Sequence, residues 1–493
     1  MKPSQRTRSQ APRAHHMVSS ALAALVLTAC ASSAGIAPVA QRLDPQSLGL
    51  SGQAQQDASP QVSATWWRAW GDPALSELMD EALAAHPSLQ VAQARVAKAS
   101  ALVDGQRGAS EPKLGAKADA TRQRFSANSI YPPPLGGSTQ TLANAQLGAS
   151  WELDFFGRHR ADLEAAIGAQ RAAQADLAAA RNLLSANVAQ TYVQLGHLLS
   201  LRDVAKATLE QRQAMLDLIR QRVSAGLDTQ VELRQGEGAL PETRQAIEQL
   251  NEQIATTRHA LAALTAAAPD RFDQLVPHLD QPALVAAPAV VPADLLGRRA
   301  DIQAARWRIE AATRSVDAAK AQFYPNVNLS AFVGLSSIGL NKLLESGSRQ
   351  YGVGPAISLP IFDAGALRAN LGSKTADLDA AVAAYNGAVI DAVRETADQL
   401  ASLQSIGRQT EQQREAQSAA ESAYSFARQR YAAGLSGYLT LLNAENAVLA
   451  QRRQAVDLRA RALSGQVGLV RALGGGYMPD AAPAFGDKLA AAH

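Results

Sequence analysis

Two stretches decide the fold: Ala145-Gln-Leu-Gly-Ala-Ser-Trp-Glu-Leu153 and, a few residues on, the Pro-free run from Gly157 to Ala225. In the first, Ala145, Leu147, Ala149, Trp151 and Leu153 fall at every second position, the spacing of a strand with one apolar and one polar side. In the second, Ala, Leu, Gln, Arg and Glu dominate. Some 65 residues of helix at about 1.5 Å per residue extend about 100 Å. Upstream, Leu114, Ala116, Ala118 and Ala120 alternate in the same way, and Tyr131-Pro-Pro-Pro-Leu-Gly-Gly-Ser138 separates the two strands as a turn. Before them, Pro73 to about Ser110 has helical spacing interrupted near Pro87, where a second helix begins.

The same plan is written twice. His86-Pro-Ser-Leu-Gln90 returns as Arg299-Ala-Asp-Ile-Gln303, and the register holds through Arg95/Arg308, Val103/Val316, Asp104/Asp317 and Pro112/Pro325. Leu153-Asp-Phe-Phe156 returns as Leu359-Pro-Ile-Phe362, and Arg222-Val-Ser-Ala-Gly-Leu227 as Arg430-Tyr-Ala-Ala-Gly-Leu435. Three blocks in one order argue for a duplicated unit of about 210 residues. The second copy carries its own alternating strands (Val327, Leu329, Ala331, Val333, Leu335, then Val353, Ile357, Leu359, Ile361) and its own Pro-free run, Gly365 to Ala433. Each long run ends in a Gly turn, with Gly226 or Gly434 as left-handed C-cap and Asp228 or Ser436 expected to N-cap the returning helix. Residues 266–292 carry five prolines and read as a linker.

Composition narrows the chemistry. The 493 residues hold Lys+Arg 47 against Asp+Glu 44 and a single Cys, which rules out an intrachain disulfide or a multi-cysteine metal site and gives no general reason for nucleic-acid binding. The eight His residues include no H-x-x-x-H pair, and no convergent polar constellation for catalysis is found, so a non-enzyme without cofactor is expected. Gly372-Ser-Lys374-Thr375 reads as helix surface, not as a phosphate loop, and His159 as an interfacial or capping residue. The basic start (Lys2, Arg6, Arg8, Arg13) and the short apolar stretch from Met17 to Ala29 have the layout of a bacterial export signal. Leu27-Thr-Ala-Cys30 resembles a lipobox, which makes Cys30 the expected lipid-attachment thiol; Ala31 after it, where Asp would favour inner-membrane retention, points to the outer membrane.

Four amphipathic strands cannot span a bilayer alone, because an open sheet leaves edge N–H and C=O groups in hydrocarbon, and spanning barrels begin at about eight strands. Against that constraint stand the motifs Trp66-Trp-Arg-Ala-Trp-Gly-Asp-Pro73, Trp151-Glu-Leu-Asp-Phe-Phe-Gly-Arg158, Pro292-Ala-Asp-Leu-Leu-Gly-Arg-Arg299 with Asp301-Ile302, Phe323-Tyr-Pro325, Leu359-Pro-Ile-Phe362 and Ala472-Leu-Gly-Gly-Gly476. Together they resemble the outer-membrane factors of tripartite efflux pumps, the TolC/OprM-type channels of the NodT-like lipoprotein branch. The resemblance implies an α+β membrane protein whose duplicated unit gives a trimeric 12-stranded β-barrel and a long periplasmic α-helical barrel. It divides the chain into a signal (1–29), a lipid-anchored start with the first helices (30–110), strand pair 1 (111–155), hairpin 1 with its tip near 226 (156–266) and a linker (267–298). The second repeat follows with its first helix (299–325), strand pair 2 (326–362), hairpin 2 with its tip near 434 (363–476) and a flexible tail (477–493).

The resemblance also assigns sites and partners. Arg222, Gly226, Leu227, Arg430, Gly434 and Leu435 at the two tips would dock a periplasmic adaptor, the competing reading being plain hairpin turns with solvated arginines. Leu439, with Asn443 and Asn446 beyond it, would lie at the periplasmic gate, the rival for Leu439 being a core leucine of the helix pair. An acidic gate ring is in doubt because Asn443 and Asn446 stand where Asp and Arg are expected, and Glu445 is left unassigned. The expected partners are two further copies of the chain, the adaptor, an inner-membrane pump of RND type and outer-membrane lipid, with no nucleic acid. The function implied is passive passage of small toxic compounds from periplasm to exterior. A type I protein-secretion duct and a lipid-anchored periplasmic coiled-coil scaffold without a pore are the alternatives.

Overall fold

The computed structural model describes residues 32–48, 62–279, 295–363 and 365–478. The signal, Cys30, residues 280–294 of the expected linker and residues 479–493 of the expected tail lie outside the described residues. Among the described residues, seven long helices and four strands follow one another as α1 (Pro73–Ala85), α2 (Pro87–Ala109), β1 (Lys113–Arg124), β2 (Thr139–Leu153), α3 (Arg158–Ser224), α4 (Gln230–Leu264), α5 (Ala300–Ala321), β3 (Asn326–Ile338), β4 (Arg349–Ser358), α6 (Ala366–Ala432) and α7 (Tyr438–Ala472). The duplication reaches element lengths: α3 and α6 are each 67 residues, and α4 and α7 each 35. Both long helices start on an aspartate. Asp154 accepts the backbone N–H groups of His159 and Arg160 (3.1 and 2.9 Å), and Asp363 those of Gly365 and Leu367 (3.1 and 2.6 Å). Asp154, not His159, therefore caps α3; an N-terminal carboxylate satisfies otherwise orphaned donors and is worth about 1 kcal/mol.

The chain divides into two compact units. One comprises Met1–Gln41, Lys98–Arg171 and Trp307–Ala383 and holds all four strands. They form one antiparallel sheet in the order β1-β2-β3-β4. The register gathers the alternating apolar residues onto a single face: Leu114, Ala149, Ala331 and Val353 stand side by side, as do Ala116, Leu147, Val333 and Tyr351. The other face is polar, with Asp119, Asn144 and Ser336 in one row, where Asn144 donates to Asp119 (3.1 Å) and Ser336 to Asn144 (2.7 Å). Because the side-chain period is two, a slip of one residue anywhere would mix the faces. Beneath the sheet in sequence, α3 and α5 approach closely: a Cβ on Gly168 would sit 3.1 Å from Ala311. Arg314 pairs with Glu164 there (2.9 Å), and Arg171 lies over the Trp307 ring (4.5 Å).

The other unit comprises Arg42–Ala97, Ala172–Arg306 and Ala384–His493. Its core contains Trp66, Trp67 and Trp70, all buried in a 3-10 turn and packed edge to face (Trp66 to Trp67 5.8 Å, to Trp70 5.7 Å). Asp72 is buried and fully engaged: it caps α1 through Ala74 N–H (3.0 Å) and also accepts from Tyr192 Oη (2.5 Å) and His278 N–H (2.9 Å). Burial and then the Asp72 hydrogen bond push the Tyr192 phenol far above its usual range. The His278 bond fixes part of the expected linker. Residues 267–279 are not a free linker: Pro269–Phe272 forms a 3-10 turn, Phe272 is buried, and Arg258 and Arg459 hold the carbonyls of Leu275 (3.0 Å) and Leu279 (2.9 Å). Pro269 opens the 3-10 turn, and the apolar residues after it dock. Two of the quoted motifs also meet: Arg299 is bidentate to Asp301 (3.1 and 2.7 Å) and donates to Glu395 (2.9 Å) and to the Ala472 carbonyl (3.2 Å).

Candidate functional site: the two hairpin tips

Each hairpin turns on the same device. Gly226 (φ 72°) and Gly434 (φ 73°) adopt the left-handed conformation that costs a Cβ-bearing residue about 1 kcal/mol. Around each, a pair of bonds closes the helix end: Leu227 N–H to Arg222 O (2.9 Å) with Gly226 N–H to Val223 O (3.0 Å), and Leu435 N–H to Arg430 O (2.8 Å) with Gly434 N–H to Tyr431 O (3.0 Å). This is a Schellman arrangement at both tips.

The returning helices are capped differently from expectation. Thr229, not Asp228, caps α4, in a capping box where Val231 N–H donates to Thr229 Oγ1 (3.1 Å) and Thr229 N–H to Glu232 (2.9 Å). Gly437 caps α7 without any side-chain bond, and Ser436 Oγ is buried without a hydrogen-bond partner. Asp228 is unavailable as a cap because Arg222 has taken it.

The arginines before the two glycines have separate fates. Arg222 is 9 % exposed. It forms a bidentate pair with Asp228 (Nε to Oδ2 2.9 Å, Nη2 to Oδ1 3.2 Å), donates Nη1 to the Tyr431 carbonyl (2.9 Å) and lies 4.5 Å over the Tyr431 ring. Tyr431 Oη donates to Asp228 in turn. Burial would raise the Asp228 carboxyl, but hydrogen bonds from Arg222 and Tyr431 outweigh it and hold it below its usual range. Burial and the same carboxylate push the Tyr431 phenol well up. This clamp ties α3, its turn and α6 together. Arg430, by contrast, is exposed and makes only a 3.3 Å contact with the Leu435 carbonyl of its own turn. Of the two sequence-matched arginines, the structure leaves one free for a partner and commits the other internally.

Around the turns the surface is apolar. Leu227, Val231, Leu435 and Leu439 are each more than 60 % exposed, an arrangement that in soluble protein marks an interaction surface. Leu439 at 67 % exposure is not a core leucine of the helix pair. Asn443 and Asn446 are exposed as well, and their spacing of four and seven residues from Leu439 sets all three on one side of α7.

Glu445 turns the opposite way. It is buried and receives Arg212 Nε (3.2 Å), while Arg212 Nη1 donates to Ala239 O (3.2 Å) and Thr243 Oγ1 (2.9 Å). This three-helix node behind the tips, with Pro241 inside α4, was not legible in the sequence. The absence of a Pro at the matching point of the second repeat, where Leu449 stands, was the only available hint.

Comparison with known proteins places this geometry. The sequence profile described as outer membrane efflux protein matches residues 78–267 and 291–475. The chain is 36% identical over 358 residues to the fusaric acid resistance protein FusA of Burkholderia cepacia, covering 71% of this chain and 68% of that one. It is 32% identical over 445 residues to the multidrug resistance outer membrane protein MdtP of Escherichia coli K12, covering 89% and 91%. Among solved structures, the outer membrane protein VceC of Vibrio cholerae shares the fold with a TM-score of 0.80 at 36% identity, over 84% of this chain and 99% of that one. The chain belongs to the outer membrane efflux protein family.

Proposed function

We propose that this chain is one third of a trimeric duct that passes small toxic compounds from the periplasm across the outer membrane. The observation that carries the reading is the sheet. Most apolar residues of the four strands fall on one face, Leu142, Phe332 and Ile338 being exceptions, yet among the described residues β1 and β4 each keep an unpaired outer edge within the chain. In hydrocarbon those edges must be satisfied, and β1 of one copy against β4 of the next satisfies them; three copies give twelve strands. A pore-free coiled-coil scaffold has no use for such a sheet.

Arg430, Gly434 and Leu435, with Gly226 and Leu227 of the first tip, present the docking surface for a periplasmic adaptor, while Arg222 shapes that surface from behind. Leu439, converging from three copies, forms an apolar constriction that closes by dewetting, and Asn443 and Asn446 line the wall beyond it without charge. The driving energy comes from an inner-membrane pump of RND type. Acyl chains on Cys30 anchor the start of the mature chain in the membrane, each buried CH₂ contributing about 0.8 kcal/mol.

The test is single-channel recording in planar bilayers alongside denaturing gels. Discrete conductance steps and a band at three chain masses are expected; a monomeric protein with current at baseline would reject the duct. Metabolic labelling with palmitate should mark the wild-type chain and not Cys30→Ala.

A further inference from the structure

The apolar face of the sheet carries charge at one end only. Among its strand residues the only charged side chains are Arg122, Arg124 and Arg349. All are arginine, and all lie on the outer strands at the hairpin-loop end: Arg124 closes β1 and Arg349 opens β4. The polar face carries both signs, as where Lys117 lies 3.8 Å from Asp119. From Ala143 to Leu153 the apolar side of β2 extends about 33 Å along the strand. At a tilt of about 40° this is a belt about 25 Å tall, the height of the hydrocarbon-facing band of an outer-membrane barrel. Arg122, opposite Thr141, stands in the next row out. Arginine is costly in the middle of such a belt, whereas at its rim the stem stays on apolar surface and the guanidinium reaches the headgroups.

Closing the wall does not neutralise these charges. All three arginines are exposed, and none has an ion-pair partner among the described residues. What a further copy sets beside β1 is β4, whose only charged residue on this face is Arg349; what it sets beside β4 is β1, with Arg122 and Arg124. Each seam therefore gathers cations from two copies and gains no carboxylate from either strand. The loops at this end add no negative surplus: residues 125–138 hold no charged side chain, and residues 339–348 hold Lys342 against Glu345.

We infer that each seam binds a phosphorylated glycolipid of the outer leaflet, with Arg122 and Arg124 of one copy and Arg349 of the next holding its phosphates. Guanidinium is planar and pairs bidentately with phosphate oxygens, and basic clusters at a membrane surface select phosphorylated headgroups. The lipid-facing side rules out a solute in transit as the partner, because the arginines point away from the lumen. The inference rests on the channel reading, which sets the apolar face against lipid and the hairpin loops outside, and it deepens that reading by naming the lipid class that closes around the barrel.

The experiment is native mass spectrometry of the full-length protein in detergent, titrated with bisphosphorylated lipid A and with the same lipid freed of phosphate. Wild-type trimers should retain the phosphorylated form with an apparent Kd at least about tenfold lower. Arg349→Gln alone should weaken that binding about fivefold, and the Arg122→Gln, Arg124→Gln, Arg349→Gln triple variant should hold the two lipids equally. Lys113→Gln with Lys117→Gln removes two cations of β1 from the opposite face and should bind as wild type does. Millimolar inorganic phosphate should leave the lipid in place; displacement by it would reassign the arginines to a soluble anion and overturn the lipid site. Equal retention of both lipids by wild type would overturn it too, and that comparison needs no variant to assemble. So would arginine variants that form trimers and keep the wild-type preference. A wild-type chain that stays monomeric would reject the duct itself, and the seam with it.

Discussion

The two hairpin tips share a backbone and differ in what holds them. Both turn on a left-handed glycine with the same pair of closing bonds, and both are preceded by arginine four residues earlier. At the first tip that arginine is buried in a clamp with Asp228 and Tyr431, and a capping box secures the returning helix. At the second, the arginine is exposed, the helix cap is a bare glycine and Ser436 has no partner. Duplication supplied two equal turns; the side chains then gave the first a buried ion pair and a capping box of its own, and tied the second to it through Tyr431, which accepts from Arg222 and donates to Asp228. Local opening is drawn from the less stabilised element.

The largest expected effect comes from breaking the clamp. Asp228→Ala leaves the Arg222 guanidinium buried without its counter-charge, a change that costs about 3–5 kcal/mol in a buried pair. Amide exchange across the first tip should accelerate sharply, whereas Arg430→Ala should shift the second tip by less than about 0.5 kcal/mol. Equal responses at the two tips would erase the distinction.

Replacing either turn glycine comes next. Gly434→Leu places a side chain at φ 73°, for about 1–2 kcal/mol of local strain, and should weaken crosslinking to the adaptor. Drug tolerance and crosslinking at wild-type levels would remove the second tip from the docking surface. The caps give a smaller contrast. Thr229→Ala should lower the melting temperature through loss of about 1 kcal/mol, while Ser436→Ala should be neutral or slightly stabilising because its hydroxyl has no partner to lose.

The smallest effect is that of pH. Asp228 has a folded pKa below its unfolded value of 3.8, so its contribution is complete above 3.8 and fades only as the pH falls through the lower folded value. Exchange at the first tip should be unchanged from pH 8 to pH 5 once corrected for intrinsic rates, and should rise only below about pH 4. The second turn, residues 433–437, holds no carboxylate of its own, so any step there should be smaller and enter only through the Tyr431 bond to Asp228.

Much of this was readable without coordinates, because period-two alternation and Pro-free Ala-rich runs are local signals. The strands containing Leu147 and Leu329, the long helices and the glycine turns all follow from residues near one another in sequence. The clamp does not. Arg222 and Arg430 stand in matching turns whose local difference is Asp228 against Ser436 six residues on; what the sequence does not show is Tyr431, more than 200 positions from Asp228, which completes the clamp. The same long-range pairing explains why Asp228 is not the cap that its position suggests. Residues 267–279 misled in the other direction, since their prolines signal a linker while Phe272 and Leu275 belong to a core built largely from the Trp66–Trp70 turn and α3. Arg212 and Glu445 join helices far apart in the chain, and no local pattern announces them.

The account stands on the sheet being completed by further copies of itself. Cys30 is the only native cysteine, so cysteines placed on the same face of the two outer strands, at Leu114 or Ala116 on β1 with Tyr351, Val353 or Pro355 on β4, report edge pairing without background once Cys30 is replaced by Ala. Oxidation of membranes carrying these pairs should yield, for at least one register, a reducible ladder that ends at three chains. Only uncrosslinked single chains in every register, from protein that has reached the outer membrane, would contradict the closed wall.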